Sequence, residues 1–417
     1  MNRLNIRFNT DIKLVDRLSV RFDASFSNLT RNIRDDGAPE NYTEGTPTSP
    51  SFLGYVKSPF MNPYAYGRGE FSDTQLDITP ESYLNEALVD YPNYNYRLAN
   101  PVALNEYADA ENKNRFENSL LNLSVMPKFE ISRNLSLTEH FSYSLINTNE
   151  KYYIPINGVP SYFVKNVNAY RTNEVRSLFS KQNSLMSDTR LDWSNRYGAH
   201  NIQLFGGARV HWESYSLNSQ LGYNTGSDKT PFMSSSLLNA SSSGTNDSWN
   251  SVAWYAQGNY DFLGRYFLQA NLTAESSSRF GKEAGGLKLA NVSWCVFPSV
   301  QASWVISNEP WLAGVKGIDY LRLTAGFDVS GNDDIDYYAA RSFLSSKLFL
   351  NAISGRSLSG IGNTQIKWET TRRFNTGLET NLFNNRVHLN FNFFKSWTNV
   401  LLTLQSLNFL SGLEQNW

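Results

Sequence analysis

The stretch LSVRFDASFS, from Leu18 to Ser27, alternates apolar and polar residues without a break. Its even-numbered positions are Leu, Val, Phe, Ala and Phe, and its odd-numbered positions are Ser, Arg, Asp, Ser and Ser. Because successive side chains of a β-strand point to opposite faces, this period of two predicts a strand with one apolar and one polar face. The fold therefore depends on the surroundings that each face meets.

The composition of the whole chain also favours β-structure. Aromatic residues make up 14% of the 417 residues, and residues that favour strands and turns dominate over strong helix formers. Lys and Arg together number 37 against 38 Asp and Glu, so no excess of positive charge indicates a nucleic-acid partner. No apolar run approaches the roughly 18 residues of a membrane helix. The single cysteine, Cys295, cannot form an internal disulfide, and we expect an inert thiol that is buried or faces lipid.

Alternating segments like the first one recur in pairs along the chain, which predicts about twelve strands in six hairpins. The connections within the pairs are short and contain Asn, Asp or Gly, as is typical of hairpin turns. The fifth pair is an exception, because a longer linker, 307–317, joins its strands. The other predicted turns lie at 15–17, 132–134, 197–199, 263–264 and 384–385.

The connections between the pairs are long, polar and rich in Gly, Pro, Ser and Asn; they cover 31–114, 148–181, 216–247 and 331–367. Alternation of short and long connections is typical of outer-membrane barrels, which have tight periplasmic turns and long outer loops. A strand of about ten residues, tilted by about 40°, also matches the roughly 25 Å apolar band of such barrels. The sequence therefore predicts an all-β protein, a transmembrane antiparallel β-barrel with long extracellular loops.

In such a barrel, apolar side chains face lipid and polar side chains face an aqueous lumen. Glu139 breaks the alternation, and we expect it to lie near a membrane interface or against protein. Aromatic residues near two turns stand where a headgroup-level belt would lie: Tyr260, Phe262, Tyr266, Trp193 and Tyr197. The side chains expected to face the lumen are Arg21, Asp23, Gln269, Asn271, Arg322 and Asn390. Those expected to face lipid are Val20, Phe22, Leu268, Ala270, Leu323 and Leu389.

The sequence contains no recognisable catalytic or cofactor motif. Its four histidines are scattered, its lone cysteine rules out a cysteine-rich zinc site, and it has neither a nucleophile elbow nor a P-loop. The loop GNDDID, Gly331–Asp336, could hold Ca²⁺ but lacks the glycine and closing glutamate of an EF-hand, so a solvated loop is favoured. We therefore expect no enzyme activity, no catalytic residues, no metal site and no cofactor.

The longest loop contains one candidate binding surface, formed by Tyr91, Tyr94 and Tyr96 in the segment YPNYNYRLANP. Their rings could stack on the faces of sugars, although packing of the long loop against itself is the favoured interpretation. At the end of this segment, Asn100 is a plausible cap and Pro101 a first-turn residue of a short helix.

A series of motifs keeps a characteristic order and spacing, chiefly in the second half of the chain. No single motif is decisive, but the ordered series resembles the SusC/RagA-type TonB-dependent outer-membrane transporters of Bacteroidetes. A further segment, ANPVALNEYADAENKNRF (99–116), is similar to the loop that precedes a strand in that family. The motifs are SSSRFG (276–281), FPSVQASWVISNEPWL (297–312), LRLTAGFDVSGNDDI (321–335), IKWETTRRFNTGLE (366–379) and NNRVHLNFNFFKSWTNVLL (384–402).

The resemblance implies a barrel of 22 strands with an internal plug, an N-terminal domain and a signal peptide. We therefore expect residues 1–417 to be part of one barrel domain, about twelve strands of it, from which those segments and the final strands are absent. The implied function is uptake of a nutrient, a glycan or a peptide, across the bacterial outer membrane. The implied partners are the TonB complex, reached through the missing N-terminal part, a SusD-like surface lipoprotein, and outer-membrane lipid.

Two other classes of protein remain open. A secreted or surface β-rich carbohydrate-binding or adhesive protein would also have alternating strands, arranged as a sandwich, with the tyrosine loop as its binding face. An outer-membrane enzyme would use carboxylates of the lumen or of the loops, such as Asp334 in a loop. The position of the apolar side chains of Leu18–Phe26 separates the first class from a barrel, since a sandwich would bury them beneath a second layer.

Overall fold

The computed structural model describes residues 1–34, 48–56, 99–108, 114–159, 161–164, 167–312, 314–349, 353–408 and 415–416. Strands account for most of this part of the chain, and its helices are short: Pro50–Val56, Pro101–Ala108 and a 3₁₀ turn at Ile306–Asn308. None of these described helices has the length and apolar character needed to cross a membrane.

The strands follow one another with few interruptions. In chain order they are β1 (Asn2–Val15), β2 (Leu18–Asn32), β3 (Arg115–Ser132), β4 (Leu135–Ile154), β5 (Tyr162–Val164), β6 (Ala169–Arg171), β7 (Glu174–Tyr197), β8 (His200–Tyr223), β9 (Leu238–Phe262), β10 (Tyr266–Ser277), β11 (Leu287–Leu289), β12 (Val292–Val305), β13 (Ile318–Asn332), β14 (Phe343–Phe349), β15 (Ile353–Gly360), β16 (Glu369–Leu382), β17 (Val387–Asn399), β18 (Gln405–Ser406) and β19 (Gln415–Asn416).

Twelve of these strands form one antiparallel sheet, here called the wall, in the order β1-β2-β3-β4-β7-β8-β9-β10-β12-β13-β16-β17. Each wall strand pairs with the wall strands that precede and follow it in the chain, and β11 adds a short strand beside β12. The six predicted hairpins are therefore confirmed. Within the described residues, β1 and β17 each pair on one side only. The remaining strands form three small two-stranded sheets, β5-β6, β14-β15 and β18-β19.

The register divides the wall into an apolar and a polar face. For example, Leu268 lies opposite Ala302, and the next residue, Gln269, lies opposite Gln301. Followed from strand to strand, this pairing places all twelve residues that the sequence assigned to a face on the expected one. The exposed fractions of Leu268, Leu323 and Leu389 are 45%, 41% and 54%.

The apolar face of the wall has no second layer over the segment that decides the fold. The even-numbered side chains of Leu18–Phe26 are all partly exposed, none is buried, and β2 pairs only within the wall. A sandwich would have buried these side chains. The sandwich alternative is therefore wrong for the described part of the chain.

Several wall strands are much longer than the ten or so residues expected. β7 and β8 have 24 residues each and β9 has 25, so the connection after β8 covers 224–237 instead of 216–247. The expected bounds are wrong because these strands continue past their apolar band. Beyond Trp212, the face of β8 that is apolar within the band carries Ser214, Ser216 and Asn218. Apolar residues therefore no longer alternate on this face to mark the strand.

Buried apolar clusters lie at the end of the wall opposite the short turns, here called the loop end. A helix cap predicted from the sequence supports the first cluster: Asn100 Oδ1 accepts hydrogen bonds from the backbone N–H groups of Val102 and Ala103, at 3.0 and 3.3 Å. The first cluster contains Leu53, Ala99, Leu104, Tyr152, Ile154 and Val159. The second contains Phe280, Ala284, Ile335, Ala339, Ile366 and Trp368.

Two residues that the sequence singled out, Glu139 by its break in the alternation and Cys295 as the lone cysteine, have clear surroundings. Glu139 lies on the apolar face, where its carboxylate accepts hydrogen bonds from the hydroxyls of Ser187, at 2.7 Å, and Thr189. It therefore lies against hydroxyl groups of the neighbouring strand, as expected. Cys295 lies opposite Glu275 on the polar face, half-buried against the second cluster, so its thiol does not face lipid.

Candidate functional site

The polar face of the wall carries charged side chains that pair with one another along and between strands. Because paired residues share a face, these ion pairs all point to the same side of the sheet. Arg322 stands between two depressions of this face, of ≈ 400 and ≈ 480 Å³, and donates a hydrogen bond to Ser303 Oγ at 3.0 Å. The ion pairs are Arg21–Asp23 at 2.9 Å, Arg190–Asp192 at 3.0 Å, Arg209–Asp188 at 2.7 Å and Arg373–Asp328 at 3.0 Å.

The most interconnected part of the polar face surrounds Asp188. Arg209 donates to one carboxylate oxygen at 2.7 and 3.0 Å, and the hydroxyl of Tyr255 donates to the other. The Tyr255 ring reaches Asp188 across Gly207. A Cβ at Gly207 would lie 2.2 Å from the carbonyl oxygen of Thr189 and 2.7 Å from the Tyr255 hydroxyl. Glycine is thus required at position 207 for the contact between Tyr255 and Asp188. The polar side chains of this face therefore occupy specific positions and are not merely hydrophilic.

At the loop end, Arg279 is stacked between two aromatic rings. Its guanidinium carbon lies 4.0 Å from the centroid of the Trp249 ring and 5.2 Å from that of Tyr337. Its Nη1 donates to the carbonyl oxygen of Asp333 at 3.1 Å, and the Tyr337 hydroxyl donates to Glu213 Oε1 at 3.1 Å. Cation–π contacts and these hydrogen bonds hold the segment that contains Tyr337 against the polar face of the wall.

Burial and the nearby Glu213 carboxylate raise the pKa of Tyr337 to about 12, so the phenol stays protonated and donates at physiological pH. Two other donors in this cluster have no hydrogen-bond acceptor among the described residues: Arg279 Nε and Trp249 Nε1. Buried donors usually have a partner, which here can be a water or a ligand oxygen.

A cavity of ≈ 310 Å³ adjoins Tyr337. It lies between the loop-end part of β9, the segment after β13 and the hairpin β14-β15. Its lining combines aromatic rings with two carboxylates and one guanidinium, a mixture that suits a ligand with both apolar and polar groups. The lining includes Asp247, Asp336, Tyr337, Tyr338, Arg341 and Phe343.

A second set of contacts fixes the neighbouring connections at the loop end. The carboxylate of Asp228 accepts hydrogen bonds from the Tyr153 hydroxyl at 2.6 Å, from the backbone N–H of Ile156 at 2.9 Å, and from the backbone and side-chain amides of Asn157 at 3.2 and 3.1 Å. Burial and the bond to Asp228 raise the pKa of Tyr153 well above its ordinary value. The connection after β4 is thus tied to the connection after β8.

The predicted site residues Tyr91, Tyr94 and Tyr96 lie outside the described residues. Of the GNDDID loop, Asp333 contacts Arg279 and Asp336 lines the cavity. In the part of the chain that the structure describes, no three His, Cys, Asp or Glu side chains are grouped so as to hold a metal ion. Sequence reasoning did not bring Trp249, Arg279 and Tyr337 together, because these residues are far apart in the chain. Arg279 lies in the SSSRFG motif, which indicated a resemblance but no binding role, and the other two residues belong to no motif.

No protein-family model matches the chain, but several curated proteins do. TonB-dependent receptor P26 of Formosa agariphila is 25% identical over 412 residues, which are 95% of this chain and 36% of the relative. TonB-dependent receptor P39 of the same organism is 27% identical over 192 residues, 46% of this chain and 18% of the relative. TonB-dependent receptor SusC of Bacteroides thetaiotaomicron is 28% identical over 143 residues, 33% of this chain and 14% of the relative. The chain thus spans about a third or less of the length of these relatives.

Solved structures match the fold over almost the whole chain. The structure of the RagAB peptide transporter superposes with a TM-score of 0.72 at 18% identity, covering 99% of this chain and 42% of the other. The ferric-catecholate import receptor Fiu of E. coli gives 0.53 at 10% identity, covering 97% and 52%. At these identities the structures establish the fold alone, which is that of a transmembrane antiparallel β-barrel. Together with the curated relatives, they confirm the resemblance indicated by the ordered motifs: the chain is similar to part of a SusC/RagA-type TonB-dependent receptor of Bacteroidetes.

Proposed function

We propose that residues 1–417 form part of the barrel wall of a TonB-dependent importer in the bacterial outer membrane. One observation carries the proposal: the wall is a single sheet whose apolar face is left uncovered by the described residues, whereas its polar face holds ordered ion pairs. An uncovered apolar sheet of this size is stable in hydrocarbon, and a polar face is stable against water or a plug. The names of the curated relatives support the same function.

The cargo is a nutrient, a glycan or a peptide, that binds at the loop end before it passes through the lumen. The cluster around Arg279 and the adjoining cavity, with Tyr338 and Arg341, supply ring faces, hydrogen-bond donors and charges for this binding. No covalent chemistry is required. The likeness to RagAB, a peptide transporter, supports a peptide as the cargo, whereas the name SusC indicates no cargo.

Two partners complete the proposed importer. The TonB complex supplies energy through a part of the receptor outside this sequence, and a SusD-like surface lipoprotein covers the loop end. The relatives' names support the first partner directly, and the likeness to a two-part transporter, RagAB, supports the second. The barrel wall keeps lipid out, and its polar face holds the plug through hydrogen bonds and ion pairs.

The proposal is tested with the full-length receptor in its own host. Carbonate extraction should leave the protein in the outer-membrane fraction, and it should be released only by detergent. Cells that lack the gene should lose uptake of one of two mixtures, fluorescently labelled oligosaccharides or fluorescently labelled peptides. A protonophore should abolish the same uptake in the parent strain. Release into the aqueous fraction without detergent would contradict the proposal and favour a secreted carbohydrate-binding or adhesive protein. Uptake that is independent of the receptor gene would contradict the importer function.

A further inference from the structure

The connection between β12 and β13 is unlike the other connections at the same end of the wall, here called the turn end. It covers residues 306–317, whereas the connection between β1 and β2 is Asp16–Arg17 and that between β7 and β8 is Gly198–Ala199. The pairing of β12 with β13 does not require a connection of this length, because hairpin strands are commonly joined by two to five residues. Its described residues are nevertheless well ordered by hydrogen bonds, and they present apolar side chains to the surroundings.

Glu309 fixes this connection to the wall. It is 5% exposed, and its carboxylate accepts a hydrogen bond from Trp304 Nε1 at 3.0 Å and lies 3.5 Å from Nη1 of Arg265. Asn308 Nδ2 donates to the carbonyl oxygen of Gly264 at 2.8 Å, and the backbone N–H of Leu312 donates to the carbonyl oxygen of Glu309 at 3.0 Å. The connection is therefore held against the neighbouring turn between β9 and β10.

The same connection extends a row of aromatic rings along the turn end of the apolar face. His200, Phe262, Tyr266 and Trp304 lie directly opposite one another in adjacent strands. Their ring centroids are separated by 4.7, 6.2 and 6.3 Å, and Trp311 continues the row 6.5 Å from Trp304. Trp311 is 63% exposed and Tyr266 is 43% exposed, whereas Trp304, which contacts both rings, is half-buried.

We propose that the described residues of this connection, 306–312 and 314–317, are a membrane-interface anchor, whose Trp311 and Val315 insert into the headgroup region of the periplasmic leaflet and bind phospholipid. Indole rings favour this region because they are apolar with one hydrogen-bond donor. Val315 is also exposed, at 45% of its surface, beside the exposed cation Lys316. The rigid support by Glu309 means that little conformational entropy is lost on binding. This inference rests on the proposed membrane location of the wall.

Such an anchor would fix the depth and tilt of the barrel at one sector of its rim. The depth of a membrane protein is set by interfacial aromatic and cationic residues as well as by the length of its apolar band. A rigid Trp-bearing segment next to the belt holds the wall at one height more firmly than rings on flexible turns would.

The test uses the full-length receptor in phospholipid vesicles and measures quenching of tryptophan fluorescence. The difference between the native protein and Trp311→Phe isolates the emission of Trp311. We expect this difference signal to be lost in lipids brominated near the glycerol end of the acyl chain and largely retained in lipids brominated near the chain terminus. Aqueous iodide should quench it only weakly.

Two matched variants make the outcome specific. Trp254, 57% exposed on the apolar face within the wall, should be quenched by brominated lipid, and Trp249, on the polar face, should not. Quenching of Trp311 by iodide alone, or protection from both quenchers by a covering protein, overturns the anchor. If Trp254 is quenched by lipid in that experiment, the membrane wall stands and only the anchor fails. If Trp254 also escapes brominated lipid, the proposed function fails with it.

Discussion

The wall and the loop end are built from the same strands, yet they are stabilised in different ways. Along the wall, large apolar side chains such as Leu272 and Trp254 are half exposed or more, and the register pairs them only with their neighbours in the sheet. At the loop end, Ile154 and Trp368 are nearly inaccessible and belong to compact clusters. The wall needs an apolar solvent to be stable, whereas the loop end carries its own core and is stable in water.

In the proposed importer, this difference gives the two regions separate tasks. The wall can be chemically simple, because one apolar and one polar face suffice to separate lipid from a lumen. The loop end must hold particular side chains in particular places, and it uses buried carboxylates and stacked rings to do so. Substitutions in the two regions are therefore expected to have different kinds of effect.

The largest effect is expected from a charge on the apolar face. Leu272→Arg places a cation near the middle of the band, and we expect a loss of about 2 to 4 kcal/mol in the free energy of unfolding. The measurement is guanidinium unfolding of the full-length receptor in phospholipid vesicles. Asn271→Arg, one residue away on the polar face, is the matched control and should cost far less. Equal losses would remove the distinction between the two faces.

Gly207→Ala tests the packing of the polar face. The new Cβ would lie 2.2 Å from the Thr189 carbonyl oxygen and would displace the Tyr255 ring from Asp188. Overpacking of this kind costs about 1 to 3 kcal/mol. Gly206→Ala is the control, since its Cβ would meet its nearest atom at 3.2 Å on the apolar face. The same unfolding experiment should rank the two, and a larger loss for Gly206→Ala would contradict the structure.

Asp228→Asn should loosen the loop end without affecting the wall. The substituted amide presents N–H groups to donors at Tyr153, Ile156 and Asn157, and a buried donor left unsatisfied costs about 1 to 3 kcal/mol. Hydrogen exchange followed by mass spectrometry should show faster exchange in 155–159 and 224–237 and no change in the paired strands. Asp261→Asn alters a carboxylate at the turn end that accepts from Gly264 N–H, and it should leave loop-end exchange unchanged.

The smallest effect is expected for Tyr337→Phe, which removes one hydrogen bond to Glu213 and should cost about 0.5 to 1.5 kcal/mol. The folded pKa of Tyr337, about 12, lies above its ordinary value of 10.0, so the protonated phenol stabilises the fold below pH 10. That contribution is lost as the pH rises from 10 to about 12. Ultraviolet titration of the native protein minus Tyr337→Phe should show a phenol with a midpoint near 12, and Glu213→Gln should lower it. A midpoint near 10 in the native protein would contradict the contact.

Much of the wall could be predicted from the sequence because the surroundings impose a simple rule. Where one face meets lipid and the other water, residues must alternate. Consecutive residues such as Leu268 and Gln269 therefore indicate which face each position of the strand occupies. The ends of the long strands could not be predicted, because the contrast between the faces is lost beyond the apolar band. There β9 carries polar residues on both faces, and in β8 Leu217 and Leu221 lie on the face that is polar within the band. Without a contrast between the faces, periodicity has no signal.

The candidate site could not be predicted for a different reason. Trp249, Arg279 and Tyr337 come from β9, the connection after β10 and the connection after β13, and only the order of strands in the sheet brings them together. Trp249 and Tyr337 are ordinary in their own sequence context, and the SSSRFG motif around Arg279 does not indicate binding. The tyrosines chosen from the sequence, Tyr91, Tyr94 and Tyr96, were selected because they are neighbours in the chain, and their role in binding stays a prediction.

The most direct test of the account is a scan of spin labels at consecutive positions 268–273 of β10 in the full-length receptor. Collision with oxygen, which concentrates in hydrocarbon, should be high at 268, 270 and 272, and collision with a water-soluble nickel chelate should be high at 269, 271 and 273. The two profiles should alternate with a period of two and in opposite phase. If the even positions are instead shielded from oxygen, as they would be beneath a second protein layer, the apolar face does not meet lipid and the account is wrong.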